Sequence, residues 1–266
     1  MDLDRNTTMK KLCFASDFHL GNENRSENRK RESTIIEWLN TFEDRFDVLF
    51  LVGDIFDFWF EYKHVIPKGH TRFLAKIAQL IEKGKEVHFF VGNHDLWMFD
   101  YLEDELGVII HHQPLHYQIE NKTFFIGHGD GLGPGDNGYK RMKKIFQNRF
   151  CQWLFRWLHP DIGIRIASYS SMRSRASQKE PEIFLGRDKE WLNIYAEQKL
   201  KEQPEIDYFI FGHRHLPMDI LLSNQKSRYI NLGDWIKFNT FLLFDGRDCE
   251  MQAYKNNDFH ADQIKY

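Results

Sequence analysis

Five apolar runs of strand length in this chain each stop at a turn that carries Asp, Asn or His. Lys11-Leu12-Cys13-Phe14-Ala15 leads into Ser16-Asp17-Phe18-His19, and Val48 to Val52 leads into Gly53-Asp54-Ile55-Phe56-Asp57. Val87 to Val91 leads into Gly92-Asn93-His94-Asp95, and Thr123 to Ile126 into Gly127-His128-Gly129-Asp130. Tyr208 to Phe211 leads into Gly212-His213-Arg214-His215. An unbroken apolar run suits a strand covered on both faces, as parallel strands in α/β sheets are. Such sheets keep their chemistry at the carboxyl ends of their strands. A single Gly-Asp turn after one strand is commonplace, but five such endings in succession point to a site.

Asp17, His19, Asp54, Asn93, His128, His213 and His215 supply seven O or N donors at these endings. One ion takes about four to six donors, so seven with one shared carboxylate suit two ions roughly 3.5 to 4 Å apart. Asp54 is the natural bridge, because a carboxylate has two oxygens to share. The amide of Asn93 is a weak donor and makes sense only beside carboxylates that already supply charge. Imidazole and carboxylate without thiolate suit Mn, Fe, Zn or Co better than Mg or Ca. The three cysteines, Cys13, Cys151 and Cys249, lie far apart, which argues against a cysteine zinc site or a disulfide framework and fits a reducing compartment. His94 and Asp95 are the catalytic candidates. His94 sits beside Asn93 where it can reach a leaving-group or phosphoryl oxygen, with Asp95 expected to fix its tautomer. His64, His70, His88, His111, His112, His116, His159 and His260 have no donor-spaced neighbours and read as structural or solvated.

The order of elements is that of an α/β chain, with a strand, a helix and a strand before Asp54 forming a βαβ unit. A loop is expected over 21–32. A helix follows from a capping box at Thr34-Ile-Ile-Glu37, with Ile35, Ile36, Leu39, Phe42 and Phe46 on its apolar face. Phe73, Leu74, Ile77, Ala78 and Ile81 form a second face ended by Gly84, and a short helix is expected over Leu96 to Leu106. Residues 108–126 read as two strands of a meander, and strands return at 206–211, 227–232, 239–244 and 248–254. The main domain is expected over 10–254, with weakly ordered tails at 1–9 and 255–266. A helical insertion over 136–200 interrupts it. There Met142, Ile145, Phe146, Phe150, Trp153, Leu154 and Trp157 share one helical face, and Pro160 ends the pattern. Between Tyr139 and Lys179 stand ten Lys or Arg against one acid, Asp161, although the whole chain carries a net charge of −3. A charge that uneven marks a contact surface as well as a solvated face. No apolar run approaches the roughly 20 residues of a spanning helix. Met1 to Lys11 lacks an apolar signal core, so a cytoplasmic protein is expected.

Asp-x-His, Gly-Asp-x-x-Asp, Gly-Asn-His-Asp, Gly-His-Gly-Asp and Gly-His-x-His in this order resemble the calcineurin-like metallophosphoesterases. The resemblance implies two mixed β-sheets packed as a sandwich flanked by helices, with the helical insertion as a lid. It also implies two divalent metal ions, manganese first, with Fe, Zn or Co as the other candidates. Asp17, His19, Asp54 and His215 are expected around one ion, and Asp54, Asn93, His128 and His213 around the other.

Asp17-Phe-His-Leu-Gly21, Gly53-Asp-Ile-Phe-Asp57, Asp136 to Tyr139, Met172-Arg173 and Leu232-Gly-Asp-Trp235 look like the UDP-2,3-diacylglucosamine hydrolase branch of that family. That branch works in lipid A synthesis. It cleaves an acylated sugar nucleotide at its pyrophosphate and sits peripherally on the cytoplasmic face of the inner membrane. By this likeness Asp136, Tyr139 and Arg173 join Asn93, His94 and His213 as substrate contacts. The best-known bacterial members of the branch carry Arg where this chain has His94, which is the residue of the wider family. An apolar groove for acyl chains and an anionic membrane surface are then the partners that the basic, Trp-rich insertion suits. A nuclease of the same fold would need stacking aromatics along an open basic groove. Here the aromatics share a face with aliphatics, and no nucleic-acid partner is expected. A non-catalytic metal-bound scaffold is the remaining alternative, and a chromogenic diester assay with Mn²⁺ separates it from an enzyme.

Overall fold

A computed structural model describes residues 9–21, 24–134, 137–177 and 183–266. The strands are β1 (Leu12–Ala15), β2 (Val48–Val52), β3 (Glu86–Phe90), β4 (Ile109–His111), β5 (Leu115–Ile119), β6 (Lys122–Ile126), β7 (Tyr208–Phe211), β8 (Pro217–Leu221), β9 (Arg228–Leu232), β10 (Thr240–Phe244) and β11 (Cys249–Ala253). The helices are α1 (Arg25–Phe42), α2 (Thr71–Glu82), α3 (Tyr101–Leu106), α4 (Asn137–Phe146), α5 (Arg149–Arg156), α6 (Pro160–Ser177) and α7 (Trp191–Glu202). One sheet runs β11-β10-β1-β2-β3-β4 and the other β5-β6-β7-β9-β8. Both are mixed: β1 to β4 run parallel, as do β6, β7 and β9, and antiparallel strands flank them.

Strand alternation explains the layering. Leu12, Phe14, Val48, Phe50 and Val52 of the first sheet meet Phe124, Ile126, Tyr208, Ile210 and Leu232 of the second in one buried cluster. Their chain neighbours Cys13, Ala15, Leu49 and Leu51 point the other way, onto α1, α2 and α3. Phe209 and Phe211 likewise face α7 through Leu192, Ala196 and Leu200. The two-residue side-chain period of a strand thus feeds an inter-sheet core and a sheet-helix core from one apolar run. Because β1, β2, β3, β6, β7 and β9 share one direction within their sheets, the polar turns after them gather at common sheet edges.

Several elements differ from the expectations. Helix α1 begins at Arg25, inside the expected loop, because Asn24 caps it by accepting from Ser26 N and Glu27 N. Thr34, placed at a helix start in the sequence reading, is mid-helix and donates back to Lys30 O. Helix α3 is shorter than expected. The buried Glu61 carboxylate accepts from Phe99 N, Asp100 N and Tyr101 N, and so fixes its start. The expected meander is three strands, with β4 pairing parallel to β3 while β5 and β6 form a hairpin in the other sheet. Edge strand β8 carries no apolar run and opens on Pro217, a residue tolerated at an edge.

The insertion helix is broken at Asn148, whose side chain caps α5 by accepting from Phe150 N and Cys151 N. Pro160 opens α6 instead of closing α5, as proline can in a first helical turn. Helix α7 packs into the body, so the part that stands apart is α4 to α6. The tail is ordered at its end: Lys265 bridges to Asp219, Ile264 is buried, and Tyr266 stacks on Phe184 at 4.0 Å. Residues 1–8 lie outside the described residues.

Candidate metal centre

The turns after β1 and β2 hydrogen-bond to each other, as do those after β6 and β7, before any side chain is considered. Asp17 N donates to Gly53 O, His19 N to Asp54 O, and Gly212 N to His128 O. Five residues here adopt positive φ although none is glycine: Asp17 (56°), His19 (45°), Asp54 (52°), His213 (67°) and His215 (50°). Each costs about 1 kcal/mol or more and persists only where the surroundings fix it, which is typical of functional sites. Glycine is required beside them: a Cβ at Gly92 would collide with the Asp54 carboxylate, and one at Gly53 with the His128 ring.

The side chains then form two groups of donors. Asp17, His19 and His215 make one, with His215 Nε2 3.3 Å and His19 Nε2 3.8 Å from Asp17 Oδ1. Asp54, His128 and His213 make the second, with His128 Nε2 3.3 Å from Asp54 Oδ2 and 3.2 Å from Asn93 Oδ1. Asp54 Oδ2 also stands 3.9 Å from His19 Nε2, so this one carboxylate faces both groups. All seven expected donors therefore converge. His94 lies within the same reach, grouped with His19 and Asp54.

The donor set fits divalent cations. Asp17 Oδ1 is buried and, among the described residues, faces only the His19 and His215 rings without accepting a hydrogen bond, an arrangement that is costly unless a cation faces it. The Nε2 atoms of His19 and His215 are 3.3 Å apart, so a proton or a cation has to stand between them. Charge tells the same story. Burial alone would push His19 and His128 down, but Asp17 and Asp57 hold His19 up at about 10, and the Asp54 charge holds His128 at about 10. Burial likewise works against ionised Asp54, yet His128 and His94 keep its carboxyl well below the usual range. His213, desolvated and beside His128, falls to about 4. Without cations, the carboxylates draw protons onto the imidazoles; dications satisfy the same charge.

A scan against family models matches residues 10–217 to the calcineurin-like phosphoesterases. The chain belongs to that family. Curated relatives carry the name UDP-2,3-diacylglucosamine hydrolase. The one from Porphyromonas gingivalis is 34% identical over 92% of this chain and 98% of its own length. Those from Aeromonas salmonicida and Histophilus somni are 26% and 28% identical over 86% and 85% of this chain, and 88% and 93% of their own lengths.

Family motifs alone do not give every role. Asp95, expected to fix the His94 tautomer, spends its carboxylate on the turn, accepting from Gly92 N at 2.7 Å and Ile55 N at 2.8 Å. The Asp57 carbonyl holds the His94 ring instead, 3.1 Å from Nδ1. A carbonyl only accepts, so this contact places the proton on Nδ1 and leaves Nε2 facing the site. Asp57 also braces His19 at Nδ1, and Asp234 braces His215 at Nδ1, each at 3.4 and 3.3 Å respectively. Sequence spacing assigns Asp57 and Asp234 no role, although a carboxylate behind a ligand histidine is a recurrent device.

Tyr139 lies against the turn after β6 and donates to Asp130 Oδ2, which also binds Lys143 Nζ at 2.6 Å. Asp136 and the Arg173 side chain lie outside the described residues. A cavity of 370 Å³ adjoins His128. A larger one of 860 Å³, lined by Lys11, Arg45 and Tyr266, touches none of the seven donors, and the chemistry places the site with the smaller one.

Proposed function

We propose that this chain hydrolyses the pyrophosphate bond of UDP-2,3-diacylglucosamine, releasing UMP and 2,3-diacylglucosamine 1-phosphate in the lipid A pathway. The observation that carries this reading is the near end-to-end alignment with the Porphyromonas gingivalis enzyme of that name. The chemistry a bound divalent pair supplies, with manganese the first expectation, is Lewis acidity toward the phosphoryl oxygens and a lowered pKa for a coordinated water. In the proposed site Asp17, His19 and His215 would hold one ion and Asn93, His128 and His213 the other, with Asp54 available to both. Asp57 and Asp234 orient the imidazoles behind them. His94 offers Nε2 to a phosphoryl or leaving-group oxygen and stays in place through its Nδ1 contact and a 2.8 Å bond from its backbone N–H to Asp54 Oδ1. Asn93, His213, Asp136, Tyr139 and Arg173 complete the proposed substrate contacts.

The insertion supports the acylated half of this reading. Phe146 and Phe155 root it by packing on Trp97 at 5.5 and 4.9 Å, and Trp97 Nε1 donates to Phe146 O. Phe150, Trp153, Leu154 and Trp157 face outward, with Trp157 75% exposed. An apolar face left in water beside Arg149 and Arg156 suits acyl chains and an anionic membrane surface. This supports a peripheral seat on the cytoplasmic side as part of the reading; no helix among the described residues is long and apolar enough to cross a membrane. Incubating the Mn²⁺-loaded protein with UDP-2,3-diacylglucosamine and resolving products by mass spectrometry tests the proposal. Equal amounts of UMP and the acylated sugar phosphate are expected. Intact substrate, from protein that cleaves a chromogenic diester, would overturn it.

A further inference from the structure

A pyrophosphate with an acylated sugar on one side has a nucleotide on the other, and the two halves need opposite surroundings. Helix α4 presents them on opposite faces. Its Met142, Ile145 and Phe146 lie on one side. Lys140, Lys143, Lys144 and Gln147, spaced at three and four residues, line the 370 Å³ cavity beside His128. Among the described residues the single acid in that wall is Asp130, already bound by Lys143, while Lys140 is fixed by its 2.6 Å bond to Gly133 O and Lys144 is exposed. Across the cavity the half-buried His111 ring, backed by the buried Phe90 ring at 4.6 Å, gives a flat aromatic wall. Desolvation lowers His111 to about 4, so that ring is neutral at physiological pH.

We propose that this cavity is the subsite for the nucleoside monophosphate half of the substrate, an assignment that rests on the pyrophosphohydrolase reading above. The lysines supply point charges for a phosphate. The amides of Gln113 and Gln147 offer both donors and acceptors to a base edge, and the His111 ring offers a face for stacking. The lysine and amide groups of this wall favour a phosphate and a base over an acyl chain, and the aliphatic and aromatic face of α5 favours the acyl chains. The cavity also meets His128 directly, so a phosphate held by the lysines lies next to the second donor group.

The test uses full-length Mn²⁺-loaded protein titrated calorimetrically with UMP and, separately, with 2,3-diacylglucosamine 1-phosphate. Lys144→Glu and Gln147→Ala change exposed side chains, and their melting temperatures check the fold. A charge-assisted contact is worth about tenfold or more in affinity. Lys144→Glu is therefore expected to weaken UMP by at least about tenfold, and Gln147→Ala by a smaller factor, with the KM for the acylated nucleotide rising in step. The acylated sugar phosphate should weaken much less in both variants. UMP affinity unchanged in both variants, or both products weakened equally, would overturn the assignment. If the wild type leaves UDP-2,3-diacylglucosamine intact, the function reading fails separately, and loss of UMP binding in Lys144→Glu still upholds a nucleotide subsite.

Discussion

Replacing Asp54 by Asn removes one charge and almost no volume, and the geometry says that both metal positions should feel it. Asp54 Oδ2 stands 3.3 Å from His128 Nε2 and 3.9 Å from His19 Nε2, so the same oxygen faces both donor groups. The bond that Oδ1 accepts from His94 N survives in the amide if its oxygen takes that place. At about 4 Å and an effective dielectric of about 20, one pair of unit charges is worth about 4 kcal/mol. Losing a carboxylate that faces both ions should therefore weaken each by about a thousandfold or more. Metal content after dialysis against a micromolar Mn²⁺ buffer, read by mass spectrometry, should fall from two ions per chain to well under one. Turnover of a chromogenic diester should fall with it. Two ions retained in Asp54→Asn would refute the bridge.

His94→Ala should keep both ions and slow turnover by about 10² to 10⁴, the usual size of a lost acid or transition-state contact; loss of metal would make His94 a ligand, and unchanged turnover a bystander. Metal uptake should release protons. His19 and His128, held at about 10 by the neighbouring carboxylates, are protonated at neutral pH and must be neutral to bind. Apparent affinity should thus rise with pH up to about 10, and calorimetry in buffers of unlike ionisation enthalpy should report about two protons at pH 7; no buffer dependence would contradict the cluster's charge state. Trp153→Ser with Trp157→Ser should reduce co-sedimentation with anionic phosphatidylglycerol vesicles severalfold at unchanged melting temperature, since burying an exposed aromatic is worth about 1.5–3 kcal/mol. Undiminished binding would place the membrane contact elsewhere.

Most of the site was legible because strand ends are where periodicity stops abruptly. Leu49 to Val52 could be read as a buried run, and Gly53-Asp54 then had to lie at a strand exit; the structure adds that Asp54 is held there at φ 52°. Strand β8 was missed because Pro217-Met-Asp-Ile-Leu mixes proline and a charge, and only its pairing to β9 makes it a strand. Helix α1 starts in a highly charged stretch whose helical face is polar until Ile35. The signal for its start was Asn24, a local cap that propensity alone does not single out. The supporting roles of Asp57 and Asp234 were hidden for another reason. Each acts on a histidine far away in the chain, Asp57 on His19 and His94, Asp234 on His215. Sequence spacing cannot report such contacts between turns of different strands.

A hydrolase for an acylated sugar nucleotide must favour substrates that carry acyl chains, and a comparison of two specificity constants checks this. The Mn²⁺-loaded protein is given UDP-2,3-diacylglucosamine and, in parallel, UDP-N-acetylglucosamine, which presents the same nucleotide and pyrophosphate without long acyl chains. Each methylene removed from water is worth about 0.8 kcal/mol, so four buried methylenes alone give a preference of about 200-fold. The kcat/KM for the acylated substrate is expected to be at least that much higher. Equal constants for the two would contradict it and leave a general phosphoesterase.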